Sequence, residues 1–263
     1  GVNPVFKDMT LADVKKQLLG ARAINLIPGN YPAPAGKYEL QDLPSAFDAR
    51  QKWGSCIHPI RNQQQCGSCW AFAASEVLSD RFCIAGRKDV GVLSPQYLVS
   101  CDDSDYGCDG GYLANSWQFL QNTGIPTDAC YSYTSGGGDS GQCKTTCDDG
   151  SAIKTFKADK VVTPTTPADI QTEIFNNGPV EVAFSVYRDF LSYTSGVYSH
   201  KTGGLLGGHA VKAIGWGVSN GTPYWIIANS WGESWGQNGF FWIKRGSNEC
   251  GIESNVIAGS PAL

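Results

Sequence analysis

The spacing of apolar residues changes character partway along the chain. From Ser68 to Ala85 the run "SCWAFAASEVLSDRFCIA" is apolar on most sides, carries few breakers and meets Gly86, which predicts a buried helix with Cys69 in its first turn. Two more helices are predicted over "SPQYLVSC", where Ser94 caps and Pro95 takes the first helical position, and over "LANSWQFLQNTG". A shorter helical pattern, "MTLADVKKQLLGA" with Thr10 as N-cap, precedes "LIPGNYPAPAGKY", whose three prolines and two glycines predict extended or turning backbone. The stretch "TSGGGDSGQ" reads as a flexible loop.

Beyond it the pattern is that of strands. "VEVAFSV", "HAVKAIGWGV", "PYWIIANSW" and "GFFWIKR" are apolar or alternating runs rich in aromatic and branched residues, bounded by glycine. Helices first and strands later predict an α+β chain: a mainly helical part over about 41–150, a mainly β part over about 151–263, and a cleft between them for a site.

Composition narrows the function. A chain of 263 residues can bury a large core as one domain of two lobes or as two domains. Its 17% charged residues and net charge of −4 offer no basic face, which argues against nucleic acid and anionic lipid as partners. No apolar run approaches the roughly 20 residues that span a bilayer, and the first residues lack a signal-peptide pattern. Ten cysteines against one methionine point to an oxidising compartment. All but Cys250 fall between Cys56 and Cys147.

The pair in Cys66-Gly-Ser-Cys69 admits four readings: a redox couple, half a zinc site, a structural bridge, or a bridge cysteine beside a nucleophile. A redox couple gives no work to a histidine, and no second CxxC or His pair stands at zinc-ligand spacing. A thiol nucleophile needs an environment favouring thiolate, a base, and donors aimed at a developing oxyanion. Cys69 at a helix N-terminus meets the first need. Of the three histidines, His58 lies beside Pro59 in a loop, His200 sits in a turn, and His209 follows "LLGG" at the start of a strand, which makes His209 the candidate base. The side-chain carbonyl of Asn229 could hold its tautomer, and Trp231 could keep water off that contact. The intervening "SNGT" is a hairpin signal. An uninterrupted two-residue turn would pair residue 212 with 229 and put His209 and Asn229 on opposite faces, so the motif demands an odd loop or a bulge.

At these residues the chain resembles the papain-type cysteine peptidases, in their cathepsin B branch. "QQQCGSCW", "CDGGY", "GGHAVKAIGWG", "NGTPYWIIANSWG" and "CGIES" carry the resemblance, over about residues 40–263. It implies an α+β papain-like fold with a helical left lobe and an antiparallel β-barrel-like right lobe, and peptide-bond hydrolysis through a thioester acyl-enzyme. It further implies Cys69 as nucleophile and His209 as proton partner, resting as thiolate and imidazolium with the thiol pKa lowered to about 3–4. Asn229 would orient His209, and Gln63 would join the Cys69 amide as oxyanion donor. Gly67, Gly110, Gly111 and Trp231 would border the substrate, with Tyr112, Leu113, Ala183, Gly208, Ala210 and Asn255 around its second specificity pocket. Disulfides Cys56–Cys83, Cys66–Cys108, Cys101–Cys143 and Cys130–Cys147 follow from the same comparison, as does the need for no metal or other cofactor.

The resemblance extends to the N-terminus. "FKDMTLADVKKQLLGA" is similar to part of a cathepsin B propeptide and "LPSAFDAR" to a mature start, implying a truncated propeptide over 1–40, cleavage near Leu40–Leu43, and residues Leu19–Asn25 across the cleft of a zymogen. Partners would be protein or peptide substrates, the chain's own propeptide and cystatin-type inhibitors. The molecule would be a monomer of a lysosome-like or vacuolar compartment, or secreted.

Two departures carry expectations. The stretch "CYSYTSGGGDSGQC" is short and lacks the paired histidines of a cathepsin B occluding loop, so nothing cationic is there to hold a substrate's terminal carboxylate, and internal cleavage is expected. Asn255 stands where cathepsin B has an acidic residue, so apolar or aromatic side chains are expected at P2. The sequon Asn220-Gly221-Thr222 is followed by Pro223, which disfavours a glycan.

Overall fold

The computed structural model describes residues 4–22 and 42–263. Its helices are α1 (Leu11–Gln17), α2 (Ala49–Trp53), α3 (Cys69–Ile84), α4 (Pro95–Cys101), α5 (Leu113–Asn122) and α6 (Pro167–Asn177). Its strands are β1 (Phe47–Asp48), β2 (Ala158–Val162), β3 (Val180–Tyr187), β4 (Val197–Tyr198), β5 (Leu205–Ser219), β6 (Thr222–Ala228), β7 (Phe240–Lys244) and β8 (Val256–Pro261). The predicted helices are α1, α3, α4 and α5, and the four predicted strands are β3, β5, β6 and β7. Sequence reading passed over α6, although Thr166 as cap, Pro167 at the first position and Gly178 at the end mark it clearly.

Helix α3 is the structural axis. Every residue from Cys69 to Cys83 is buried. Asp80 and Arg81 meet charged partners, whereas Glu76 keeps a carboxyl oxygen without a hydrogen-bond partner among the described residues, and burial raises its pKa to about 7. Asp80 takes the Lys212 ammonium and the His58 ring, each at 2.7 Å, and Arg81 pairs with Glu173 at 3.0 Å while donating to the carbonyls of Gly178 and Pro179. One face packs on α4 and α5, the other on the sheet through β5, β3 and β8. One apolar cluster therefore runs from helices to sheet, with a smaller one beneath β1 and α2.

The sheet runs β2-β8-β3-β5-β6-β7-β4, with β1 pairing the far part of β5. The expected antiparallel barrel-like lobe is realised as an open mixed sheet, since β4 and β7 pair in parallel at its end and the path does not close. Segregation of layers is also incomplete: β1, from the helical part, reaches across to the sheet, and α6 lies in the strand-rich part.

The β5–β6 hairpin answers the parity question. Its turn is the two-residue Asn220-Gly221, both at positive φ (49° and 79°), and Ser219 faces Thr222. The register slips by one between Ala213 and Gly215, so Lys212 opposes Ala228 rather than residue 229. Ile214 is the extra residue, and the bulge carries His209 and Asn229 onto one face.

Disulfides join Cys56 to Cys83, Cys66 to Cys108, Cys101 to Cys143 and Cys130 to Cys147, leaving Cys69 and Cys250 free. The loop between Cys130 and Cys143 is tied down: the Gln96 side chain accepts from the amides of Thr134 and Ser135 and donates to Ser135 Oγ. The proline-rich stretch from Leu26 to Tyr38 lies outside the described residues, as do Ala23–Asn25 and Leu40.

Candidate active site

Cys69 opens α3 and is fully buried, with its sulfur accepting the Ala210 amide at 3.4 Å. Ala210 follows His209 on β5, so the strand that positions the imidazole also feeds a backbone donor to the thiol. His209 Nε2 lies 2.7 Å from Asn229 Oδ1. That oxygen also accepts the Ser230 amide at 2.8 Å, which fixes the Asn229 amide oxygen-first, so Nε2 carries the proton and donates. Nδ1 is left buried without a hydrogen-bond partner among the described residues. The Trp231 ring covers the imidazole at 4.8 Å, closing the contact to water.

Gln63 is buried and gripped at both ends. Its Oε1 accepts from Ser230 Oγ at 2.7 Å, and its Nε2 donates to the Cys66 carbonyl at 2.9 Å, leaving its second N–H beside the loop that leads to Cys69. Sequence reading found Gln63 but missed Ser230, whose only local signal is its place after Asn229. The other histidines are engaged elsewhere: His58 with Asp80, and His200 with Asp189 at 3.1 Å and stacked on Tyr187.

After the α1 cap at Leu18, residues 19–22 cross this cleft as a segment bridged at Ala21, called the blocking strand below. Ala21 bridges Gly208 on one wall antiparallel and Gly111 on the other in parallel, through Ala21 N to Gly208 O (3.2 Å), Arg22 N to Gly111 O (3.0 Å) and Gly111 N to Gly20 O (2.8 Å). Trp231 Nε1 donates to the Leu18 carbonyl at 2.9 Å, and Arg22 stacks on Tyr106 beside Gly110. Gly20 passes the nucleophile so closely that a Cβ there would fall 2.2 Å from Gly67 O and 3.2 Å from Cys69 Sγ. Gly111 likewise lies flat on Trp70, with room for no side chain. Of the predicted crossing segment, Leu19–Arg22 is seen in the cleft.

Burial acts against the ion pair expected from resemblance. It pushes the Cys69 thiol up to about 12, against the pull of the Ala210 amide, and the nearby Glu181 adds to the rise. It pushes His209 down to about 4, with the Asn229 contact opposing. Both shifts favour the uncharged forms of the covered pair, because burial disfavours each ion.

Of the residues predicted around the second specificity pocket, Gly208 pairs directly with Ala21. Ala183 and Ala210 face each other across β3 and β5, the Asn255 carbonyl accepts from the Ala183 amide at 2.9 Å, and Leu113 is buried at the start of α5 next to half-buried Tyr112. Neither nearby glutamate is an open anion. Glu253 accepts from Trp225, Gly246 and Asn248, while buried Glu181 accepts from Trp117 Nε1 at 2.6 Å and is held well above the usual carboxylate range by its burial.

The fold and cleft are those of a cysteine protease with its own N-terminal segment in the substrate's place. A model of papain family cysteine proteases matches residues 43–260. The chain is 41% identical to cathepsin B-like cysteine proteinase 4 of Caenorhabditis elegans, over 98% of this chain and 87% of that one. It is 41% identical to that organism's gut-specific cysteine proteinase, over 96% and 84%. Among solved structures, procathepsin B S9 from Trypanosoma congolense superposes with a TM-score of 0.90 at 35% identity, covering 97% of this chain and 89% of the other. Procathepsin L2 from Tenebrio molitor does so at 0.80 and 30%, covering 100% and 83%. The chain belongs to the papain family of cysteine proteases and is cathepsin B-like.

Proposed function

We propose that the chain is the zymogen of a cysteine endopeptidase in which Cys69 is the nucleophile, His209 its proton partner, Asn229 the residue that orients His209, and Gln63 with the Cys69 amide the oxyanion donors. Once the strand leaves, hydration returns and the proton moves from Cys69 Sγ to His209 Nδ1. The thiolate adds to the substrate carbonyl carbon, and the negative oxygen is met by Gln63 Nε2. The C–N bond breaks as His209 gives its proton to the leaving amine, leaving a thioester. Water, deprotonated by His209, then adds to the thioester, and expulsion of the Cys69 sulfur frees the acid. The observation that carries this reading is the sulfur of a helix-opening cysteine accepting the amide of Ala210, the residue after a histidine whose Nε2 is held by Asn229.

Residues 1–40 serve as the propeptide and 41–263 as the enzyme, a helical and a β part meeting at the cleft, with processing between Leu40 and Pro44. The loop from Cys130 to Cys143 carries no cation, which supports internal cleavage over removal of C-terminal dipeptides. The engagement of Glu181 and Glu253 and the neutrality of Asn255 support apolar or aromatic P2 side chains. A monomer held in check by cystatin-type inhibitors, working in a lysosome-like compartment or outside the cell, fits the cysteine pairing.

The test is an irreversible thiol-directed peptide inhibitor on processed protein, with the modified cysteine mapped. Labelling of Cys69 with loss of activity is expected; labelling of Cys250, half-buried and with its thiol pushed up to about 12 by burial, would sink the assignment. Quenched peptides with free or amidated C-termini should be cut internally at equal rates, with Leu or Phe at P2 preferred over Arg.

A further inference from the structure

The loop between Cys130 and Cys143 does more than leave the cleft open. Tyr133 points back from it under the oxyanion loop, its hydroxyl donating to the Gln63 carbonyl at 2.7 Å. That hydroxyl has one proton, so at its second contact, 3.0 Å from Ser68 Oγ, it accepts. A directed chain results, Ser68 to Tyr133 to Gln63, joining the residue that precedes the nucleophile to the residue that supplies the oxyanion donor. The ring packs edge-on against Phe72, one turn along α3 from Cys69, at 4.7 Å. The loop itself is anchored by Cys130–Cys147, Cys101–Cys143 and Gln96. Ser230 fixes Gln63 from the sheet side, through Oγ to Oε1 and through its carbonyl, which accepts the Gln63 amide at 2.8 Å. Tyr133 is the matching hold from the helical side.

We infer that Tyr133 is a positioning residue for catalysis: its hydroxyl holds the Gln63 backbone against the start of α3, so that the Gln63 side chain meets the oxyanion. The inference rests on Gln63 being an oxyanion donor. Burial pushes the phenol up to about 12, so it stays a donor across the working range of pH.

The experiment compares processed wild type, Y133F, Q63A and the double variant. Y133F keeps the ring on Phe72 and removes one oxygen. Its expected effect is a fall in kcat of roughly ten-fold with KM within about two-fold, a part of the loss that follows removal of an oxyanion donor outright. Binding of a peptide aldehyde, whose hemithioacetal oxygen occupies the same hole, should weaken by a similar factor. Alkylation of Cys69 by iodoacetamide, which forms no oxyanion, should keep its rate. In the double variant Y133F should add almost nothing to Q63A.

Unchanged kcat in Y133F alongside a loss in Q63A would overturn the role of Tyr133. So would an alkylation rate that falls as far as kcat, since the hydroxyl would then act on the thiol. Undiminished kcat in Q63A would instead show that the oxyanion reading itself had failed. Should Y133F not fold, 3,5-difluorotyrosine at position 133 carries the test: ionisation of its more acidic phenol removes the donated proton and should add an alkaline limb to kcat that wild type lacks.

Discussion

Gly20 shows how little room the nucleophile leaves its inhibitor. A methyl group there would meet the Gly67 carbonyl at 2.2 Å, and backbone cannot swing away as a side chain can. Overpacking of this kind costs about 1–3 kcal/mol. G20A is therefore expected to raise the turnover of a small peptide substrate by the unprocessed chain roughly five- to a hundred-fold, with the processed enzyme unchanged. On the other side of the sulfur, Asn229→Ala removes the acceptor that fixes Nε2–H. It is expected to lower kcat at least about ten-fold, or 1.4 kcal/mol of barrier, with a smaller effect on KM. Residue chemistry singled out Cys69 at a helix start and His209, with Asn229 as its partner, whereas Gln63 came only from the resemblance to the papain-type peptidases; His209 stands inside β5 rather than at its start. Ser230 and Tyr133 were not legible in sequence, because a hydroxyl takes its meaning from whatever carbonyl the tertiary fold brings within 3 Å, and neighbours in sequence say nothing of that.

Among the elements, the β5–β6 hairpin was the most informative in advance. Parity alone required a bulge once His209 and Asn229 were to meet, and Ile214 supplies it. Helix α1 shows the reverse, a short element whose worth depends on its cap. Thr10 and Asp13 form a reciprocal pair, Thr10 N to Asp13 Oδ2 at 2.8 Å and Asp13 N to Thr10 Oγ1 at 3.2 Å, and the side-chain contact with Thr10 lowers the Asp13 pKa. The sign follows. A carboxylate held below its ordinary range stabilises the helix at higher pH, and the contribution is lost as pH falls through that lowered value. Because α1 leads into Leu18, whose carbonyl Trp231 holds, acid should loosen the blocking strand. Thr10→Ala should leak several-fold more activity than wild type at pH 6 and respond less to further acid, read as iodoacetamide labelling of Cys69 in the unprocessed chain. The parallel β4–β7 edge was invisible beforehand, since two residues of strand carry no periodicity.

Across the whole molecule, buried acids set the response to pH. Burial raises Glu76 to about 7 and Asp105 to about 8, so the fold holds protons that the unfolded chain would release. Their contribution is complete below the ordinary carboxylate range and disappears as pH rises through 7 and 8. His209 works oppositely, its folded value of about 4 lying under the ordinary 6.5, so its effect is confined to pH below 6.5. Between pH 6.5 and 8 the carboxyl groups act without opposition from His209, and Tm is expected to fall by roughly 2–6 °C, less in E76Q and in D105N. The overall α+β plan was legible because burial of helices and alternation of strands follow from apolar periodicity. The open edge of the sheet and the crossing of β1 depend on pairings between distant segments.

All four sulfur bridges lie between Cys56 and Cys147, closing spans of 17 to 42 residues, and one of them anchors Cys66 three places from Cys69. A purification buffer thus faces conflicting demands: reductant that keeps the working thiol alive also attacks the crosslinks framing it, while the strand-rich remainder has none to lose. Recombinant preparation should therefore use an oxidising folding host, keep the blocking strand in place as a natural protecting group during storage, and add a mild thiol only at the moment of assay.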